Sequence, residues 1–297
     1  MNQIELKEEL FSYKNVTGVI GHPIKHSFSP LMHNTAFKML GLDFIYLPFD
    51  VLSENLHDAL KGIVALNIKG FNVTLPHKEK ILQYLTDITD EANIIGAVNT
   101  VVNIDGKLIG HNTDVDGVIA SLQEFKEELA GAEIAIIGCG GAARSVIYAL
   151  INYFKVAKIN LINRTLDKAE SLKDYYVEKM LFENIETFEL MPPDLKSLLN
   201  QCKLVVNATP IGMFPETDDS PLVTPESFRN EQIVFDLIYN PLKTRFLNLA
   251  RLSGARIVNG LKMFVHQGAK SFELWTNHKM PSQEIINILE AKLIKNS

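Results

Sequence analysis

The chain has 297 residues, 46% hydrophobic and 22% charged, enough apolar material for two soluble domains of ordinary size or one large one. A net charge of −6 without a long basic run argues against nucleic acid as a partner, and no stretch of 18 apolar residues is free of charge, as a membrane span requires. Residues 1–9 lack the basic and apolar regions of a signal peptide, two cysteines do not make a disulfide framework, and eight histidines show no metal-ligand spacing; a cytoplasmic protein with no metal site is expected.

Short β-branched runs alternate with amphipathic stretches of helical length, the pattern of an α/β protein. A strand over 16–20 feeds the loop 21–30, and Pro30 opens a helix over 31–40. A strand over 44–48, a helix over 54–66 and a strand over 70–74 follow. This third strand ends in Asn72-Val73-Thr74-Leu75-Pro76-His77-Lys78, a polar run at a rim where ligands dock in α/β sheets. Pro76 pushes the chain out of the strand, which places Thr74 on a turn and Lys78 in the first turn of a helix over 78–85. Lysine there opposes the helix macrodipole, so a partner or a substrate has to supply its reason; the plainer alternative is a solvated lysine. Residues 97–102 and 108–111 form a hairpin turning at 103–106.

After His111 a helix over 114–129 leads into a strand over 133–137. Gly138, Gly140 and Gly141, with Ala142 and Ala143 behind them, then open a helix that reaches residue 154. A glycine loop between strand and helix is the context of a dinucleotide fingerprint: the glycines allow a tight turn and a close backbone approach to a pyrophosphate at the helix N-terminus. Taken alone, the loop is also a plain strand-to-helix turn. The strand over 159–162 ends in Asn163, Arg164 and Thr165 with no acid at its tip to accept hydrogen bonds from a ribose. Arg164, with Lys168 a turn later, suits a 2′-phosphate and favours NADP over NAD; the alternative is a solvated arginine beside a threonine N-cap. Residues 166–200 read as one helix plus a variable segment. Strands over 204–206, 233–237 and 256–258 extend a parallel sheet, and Asn207 to Met213 and Asp236 to Pro241 are turns at its carboxyl edge. Two final helices span 260–276 and 282–294. Packed back on the first region, they divide the chain into a first domain of 1–113 plus 260–297 and a second of 114–259.

Asp114 closes Gly110-His111-Asn112-Thr113-Asp114 at the joint between these regions. It can cap the helix that follows, or pair with Lys78, whose proton donation to a ketone oxygen benefits from a carboxylate that holds and orients the amine.

The ordered set His26-Ser27-Phe28-Ser29-Pro30 with His33-Asn34, Asn72 to Lys78, Gly96 to Thr100, Asn112 to Asp114, the glycine loop, Asn163 to Thr165, Asn207 to Met213, and Asn259-Gly260 with Met263 and Gln267 resembles the shikimate dehydrogenase family. The resemblance implies an N-terminal α/β substrate domain completed by C-terminal helices, a Rossmann-type NADP-binding domain, and reversible reduction of 3-dehydroshikimate to shikimate in aromatic amino-acid biosynthesis. It implies that Ser27 and Ser29 hold the substrate carboxylate, that Thr74, Asn99, Asp114 and Gln267 bind its hydroxyls, and that Lys78 and Asp114 are the catalytic pair. Tyr239 falls near substrate and nicotinamide. Gly138, Gly140, Gly141, Ala142, Asn163, Arg164, Thr165, Lys168, Thr209, Met213, Gly260 and Met263 fall to the cofactor. The implied partner is a small molecule, and the implied assembly a monomer or homodimer. Two other readings stand beside this one. A quinate/shikimate enzyme that accepts NAD commonly carries the acid missing after Ile162, and a non-catalytic ligand-sensing relative is opposed by the presence of both Lys78 and Asp114.

Overall fold

A computed structural model describes residues 15–190 and 195–296. The described residues form two compact units, one of those up to Thr113 with 267–285 and one of those in 114–266 with those from Ile286 onward, and the helix Leu261–Thr276 has residues in both.

The first unit is built on a six-stranded sheet: β1 (Asn15–Gly21), β2 (Phe44–Asp50), β3 (Gly70–Val73), β4 (Asp87–Ile88), β5 (Thr100–Ile104) and β6 (Lys107–His111). The spatial order is β2-β1-β3-β5-β6-β4. β2, β1 and β3 run parallel, whereas β5 is antiparallel to both β3 and β6. One apolar layer gathers Ile20, Leu56, Leu60, Ile63, Phe71, Val73, Ile81, Val98 and Val101, each contributing about 1.5–3 kcal/mol through burial. Elsewhere in the unit, the helix Ser29–Leu40 buries Met32, His33, Ala36 and Phe37 and stops at Gly41, whose φ of 63° suits a residue without Cβ. Asn34 fastens this helix to β2 by donating to the Tyr46 carbonyl at 2.9 Å and accepting from its N–H at 2.8 Å. His33 stacks on Tyr46 at 4.3 Å and is pushed down to about 3 by burial, so it is a neutral packing element. Trp275 donates to the Val101 carbonyl at 3.0 Å, in the space that Gly70 leaves open.

The second unit carries β7 (Glu133–Ile137), β8 (Lys158–Asn163), β9 (Ile185–Glu189), β10 (Leu204–Asn207), β11 (Ile233–Asp236) and β12 (Arg256–Val258). Their order is β12-β11-β10-β7-β8-β9, and every neighbouring pair is parallel. This is a doubly wound sheet, reversing direction between β7 and β10. The segment 166–200 corrects the expectation of one helix and a variable stretch. It holds the helix Leu166–Met180, the edge strand β9, and the start of the helix Leu195–Gln201. β9 is short and mostly polar, with only Ile185 fully buried, so its sequence lacks the apolar run that marks the central strands.

Candidate active site

The pairing pattern decides which loops of the first unit share an edge. Parallel β1, β2 and β3 end at Gly21, Asp50 and Val73; antiparallel β5 begins beside Asn72 at Thr100, and β6 returns to His111 opposite Thr100. The Ser27–Ser29 loop, the turn from Thr74 to Lys78, Asn99 and Thr113 therefore leave the sheet at one edge. The Ser29 N–H donates to Ser27 Oγ at 3.2 Å, and that of Thr74 to the Ile20 carbonyl at 3.0 Å.

Lys78 does not start an α-helix. It lies on a turn, two residues before a 3₁₀ helix over Lys80–Tyr84, so a macrodipole cost does not apply to it. The turn is pinned on both sides instead. The Lys78 carbonyl accepts from Val98 N–H at 2.8 Å, and buried His77 donates from Nε2 to the Val51 carbonyl at 2.7 Å, which fixes its tautomer.

Behind this edge lies a buried polar network. Tyr46 OH donates to Asn72 Oδ1 at 2.7 Å, and Asn72 Nδ2 reaches Thr100 Oγ1 at 3.0 Å and Ser271 Oγ at 2.9 Å. Asn99 accepts the Thr113 N–H at 2.7 Å and donates to Thr113 Oγ1 at 3.0 Å and Gln267 Oε1 at 3.3 Å. Asn99 and Gln267, expected together, are in contact. Ser271, Thr100 and Thr113 were not singled out from sequence. The available signal was the spacing of Ser271, one helical turn after Gln267 on the same face.

In the second unit the carboxyl ends of β7, β8, β10 and β11 present the cofactor candidates. Gly138 has φ +104°, and a Cβ there would meet Thr209 Cγ2 at 2.8 Å and the Ala208 carbonyl at 3.1 Å. Around Gly140 no atom lies within 4 Å of where a Cβ would stand, and Gly140 caps the helix Gly141–Ala149 without a side-chain acceptor for its first N–H groups. That open backbone concavity fits a pyrophosphate. Asn163 Nδ2 donates to the Thr165 carbonyl at 2.8 Å, while Arg164, Thr165 and Lys168 are exposed. Thr165 occupies the N-cap position, yet its hydroxyl makes no cap bond. No acid stands in the 163–165 turn, and Arg164 and Lys168 supply the cationic donors that a 2′-phosphate needs. Burial pushes the Cys139 thiol of this loop up to about 11, partly opposed by Arg144 and Lys168.

Beside the loop, Asp236 ties two strand ends together. Its Oδ1 accepts from Asn207 Nδ2 at 3.0 Å and Ile238 N–H at 3.1 Å, and its Oδ2 from Thr244 Oγ1 at 2.6 Å. Asn207 Oδ1 in turn accepts Thr209 Oγ1 at 2.7 Å. Burial raises the Asp236 carboxyl to about 6, with these three hydrogen bonds pulling the other way. Met213 is exposed, and Tyr239 stacks on Phe264 at 4.0 Å. Gly260 lies against the Leu237 carbonyl, and Met263 is buried against Gly117. Tyr239 and Met263 thus belong to the second unit and Gln267 to the first; Asp114, buried, is the first residue of the helix Asp114–Leu122.

A doubly wound parallel sheet with a glycine turn after β7 and a cationic tip after β8 defines a dinucleotide-dependent oxidoreductase. Residues 19–101 match the shikimate dehydrogenase substrate binding domain, 120–230 match shikimate / quinate 5-dehydrogenase, and 260–290 match the shikimate 5′-dehydrogenase C-terminal domain. The chain is 44% identical over 280 residues to the shikimate dehydrogenase (NADP(+)) of Methanocaldococcus jannaschii, covering 94% of this chain and 98% of that one. A crystal structure of shikimate dehydrogenase in complex with NADP+ superposes with a TM-score of 0.86 at 43% identity, over 94% of this chain and 96% of the other. Shikimate 5-dehydrogenase from Listeria monocytogenes, in complex with shikimate and NAD, superposes with a TM-score of 0.82 at 38% identity, over 93% and 96%. The chain belongs to the shikimate dehydrogenase family.

Proposed function

We propose that the chain catalyses the reversible, NADP-linked reduction of 3-dehydroshikimate to shikimate, a step of aromatic amino-acid biosynthesis. The observation that carries the reading is the shared edge of the first sheet, to which topology alone brings the Ser27–Ser29 loop, the Thr74–Lys78 turn and Asn99. A small acid with several hydroxyls needs short polar side chains that impose orientation without adding charge, and Ser27, Ser29, Thr74, Asn99 and Gln267 are of that kind. Lys78 donates a proton to the ring carbonyl oxygen in the reductive direction and takes one from the hydroxyl in the oxidative direction. Asp114 is the carboxylate that works with this amine and binds a substrate hydroxyl, and Tyr239 is a further substrate contact. The first unit, whose C-terminal part is residues 267–285, is the substrate domain, and the doubly wound sheet is the core of the NADP domain.

NADP(H), when bound, supplies or accepts the hydride at the ring carbon. Gly138, Gly140, Gly141 and Ala142 hold its pyrophosphate, and Asn163, Arg164, Thr165 and Lys168 its adenosine 2′-phosphate. Thr209, Met213, Gly260 and Met263 line the way to the nicotinamide. With no acid after Ile162, NADP is favoured over NAD.

The test is Lys78→Ala, assayed by NADPH formation from shikimate and by calorimetric shikimate binding. Turnover falls by about 10²-fold or more while binding persists, the loss expected on removing a general acid. Near-normal turnover rejects the assignment.

A further inference from the structure

The amide orientations of Asn99 and Asn72 in the first unit follow from their partners, and they give Ser271 a role. Asn99 Oδ1 accepts the Thr113 N–H at 2.7 Å, so its amide nitrogen faces Thr113 Oγ1 at 3.0 Å and Gln267 Oε1 at 3.3 Å and donates to both. Thr113 Oγ1, already an acceptor, can return its own proton to Asn99 Oδ1 at 3.2 Å. Tyr46 OH reaches Asn72 Oδ1 at 2.7 Å, which turns Asn72 Nδ2 toward Ser271 Oγ at 2.9 Å and Thr100 Oγ1 at 3.0 Å. Ser271 Oγ donates to the Gln267 carbonyl at 3.0 Å and accepts from Asn72, and it lies 2.7 Å from Thr100 Oγ1. Thr113 Oγ1 stands 3.1 Å from the same hydroxyl.

Ser271 is fully buried and is one of two points at which the helix Leu261–Thr276 hydrogen-bonds to β3 and β5, the other being Trp275 on the Val101 carbonyl a turn further on. Its partners on the sheet side are Asn72 and Thr100, and its partner on the helix is Gln267 itself. A serine that bonds back to the carbonyl four residues earlier gains little for the helix, since that carbonyl already belongs to the helical ladder. Here the bond joins the backbone of Gln267 to the sheet, and so sets how far its side chain extends toward Asn99.

We propose that Ser271 is a positioning residue for substrate binding, acting through Gln267 by fixing its height against Asn99. The inference rests on the reading that Asn99 and Gln267 bind substrate hydroxyls. Ser271→Ala removes the hydroxyl with almost no change of volume and leaves Asn72 Nδ2 with Thr100 as a remaining partner. The Michaelis constant for shikimate rises about tenfold, the scale expected when one buried hydrogen bond is removed, while that for NADP+ and the turnover number stay within about twofold. A double-mutant cycle with Gln267→Ala separates positioning from general destabilisation. If Ser271 acts through Gln267, the serine substitution has no further effect on the shikimate constant once the glutamine side chain is gone.

An unchanged shikimate constant in Ser271→Ala overturns the inference, as does an equal rise in both backgrounds. Should Ser271→Ala not fold, Ser271→Cys fills the same volume with a weaker donor, and the same cycle is read on it with the same two outcomes. A wild-type chain that does not oxidise shikimate with NADP+ sinks the functional reading, and this inference with it. An active wild type whose Ser271 variant binds shikimate normally sinks the inference alone.

Discussion

Gly138 and Gly140 of the loop after β7 look equivalent in sequence and are not equivalent in structure, and substituting each by alanine separates fold from function. At Gly140 the backbone sits at φ −87°, ψ −174°, a conformation that alanine adopts freely, and a Cβ would meet nothing within 4 Å. Gly140→Ala then acts mainly on the unfolded chain and stabilises the protein by about 0.4–1 kcal/mol, a rise of about 1–4 °C in Tm. At Gly138, φ of +104° and a Cβ 2.8 Å from Thr209 Cγ2 give two separate costs. The strained backbone contributes about 1–3 kcal/mol and the overlap about as much again. The overlap is not easily relieved, because the Ala208 N–H is held by the Ile137 carbonyl at 2.8 Å and Thr209 by Asn207.

Scanning calorimetry of the ligand-free variants and titration calorimetry with NADP+ read the two effects apart. Gly138→Ala lowers Tm by several degrees. Gly140→Ala raises Tm slightly, yet binds NADP+ at least about tenfold more weakly, because a methyl group in the open concavity displaces the pyrophosphate and costs at least one charge-assisted hydrogen bond of about 1.5–3 kcal/mol. Wild-type NADP+ affinity in Gly140→Ala refutes the placement of the pyrophosphate. A large fall in its Tm refutes the reading of that space as open.

Arg164→Ala raises the Michaelis constant for NADPH by about tenfold and that for NADH much less, since only the former carries the phosphate; an equal change in both removes the assignment. Asp236 has a folded-state value of about 6 against 3.8 for the ordinary group, so the fold holds this proton more tightly than the unfolded chain does. Its contribution to stability is full below pH 3.8, is lost as pH rises toward 6, and is gone above, a difference of about 3 kcal/mol. Urea midpoints measured between about pH 4 and 8 therefore show a slope in wild type that Asp236→Asn flattens; parallel profiles contradict the shift. Tyr46→Phe leaves Asn72 Oδ1 buried without its donor and costs about 1–3 kcal/mol in urea unfolding, whereas a neutral result would mean that the acceptor finds water.

The central strands β3, β7, β8, β10 and β11 were legible because they are buried on both faces and read as largely apolar runs. β7 is Glu133–Ile137, the same residues that periodicity selects. Where the expectation failed, the local pattern was genuine but underdetermined. Residues 78–85 have helical spacing, yet the chain enters them from the turn at Pro76 with Lys78 tied to Val98 and His77 to Val51, and forms a 3₁₀ helix over Lys80–Tyr84 before β4. Those two anchors come from segments 26 residues before and 20 residues after, so no local window along the sequence contains them. The short edge strand β9 was missed for the opposite reason, because an exposed and polar strand carries almost no apolar signal.

The polar residues at strand ends pose a harder problem. Asn72, Asn99, Asn207 and Asp236 all sit where a sheet meets its loops, and position alone marks each as a ligand contact. Their hydrogen bonds show what three of them hold. Asn207 and Asp236 spend their polar atoms on one another and on Thr209, Ile238 and Thr244, and Asn72 spends its own on Tyr46, Thr100 and Ser271, so these three hold loops in place. Asn72 and Ser271 are 199 residues apart, and their bond exists only because the last long helix returns to the first sheet. Local sequence can therefore nominate the rim of a site but cannot separate the side chains that touch a ligand from those that aim them. That separation is a property of topology, and the Ser271 and Gln267 cycle tests it at the one point where both kinds of residue meet on a single turn of helix.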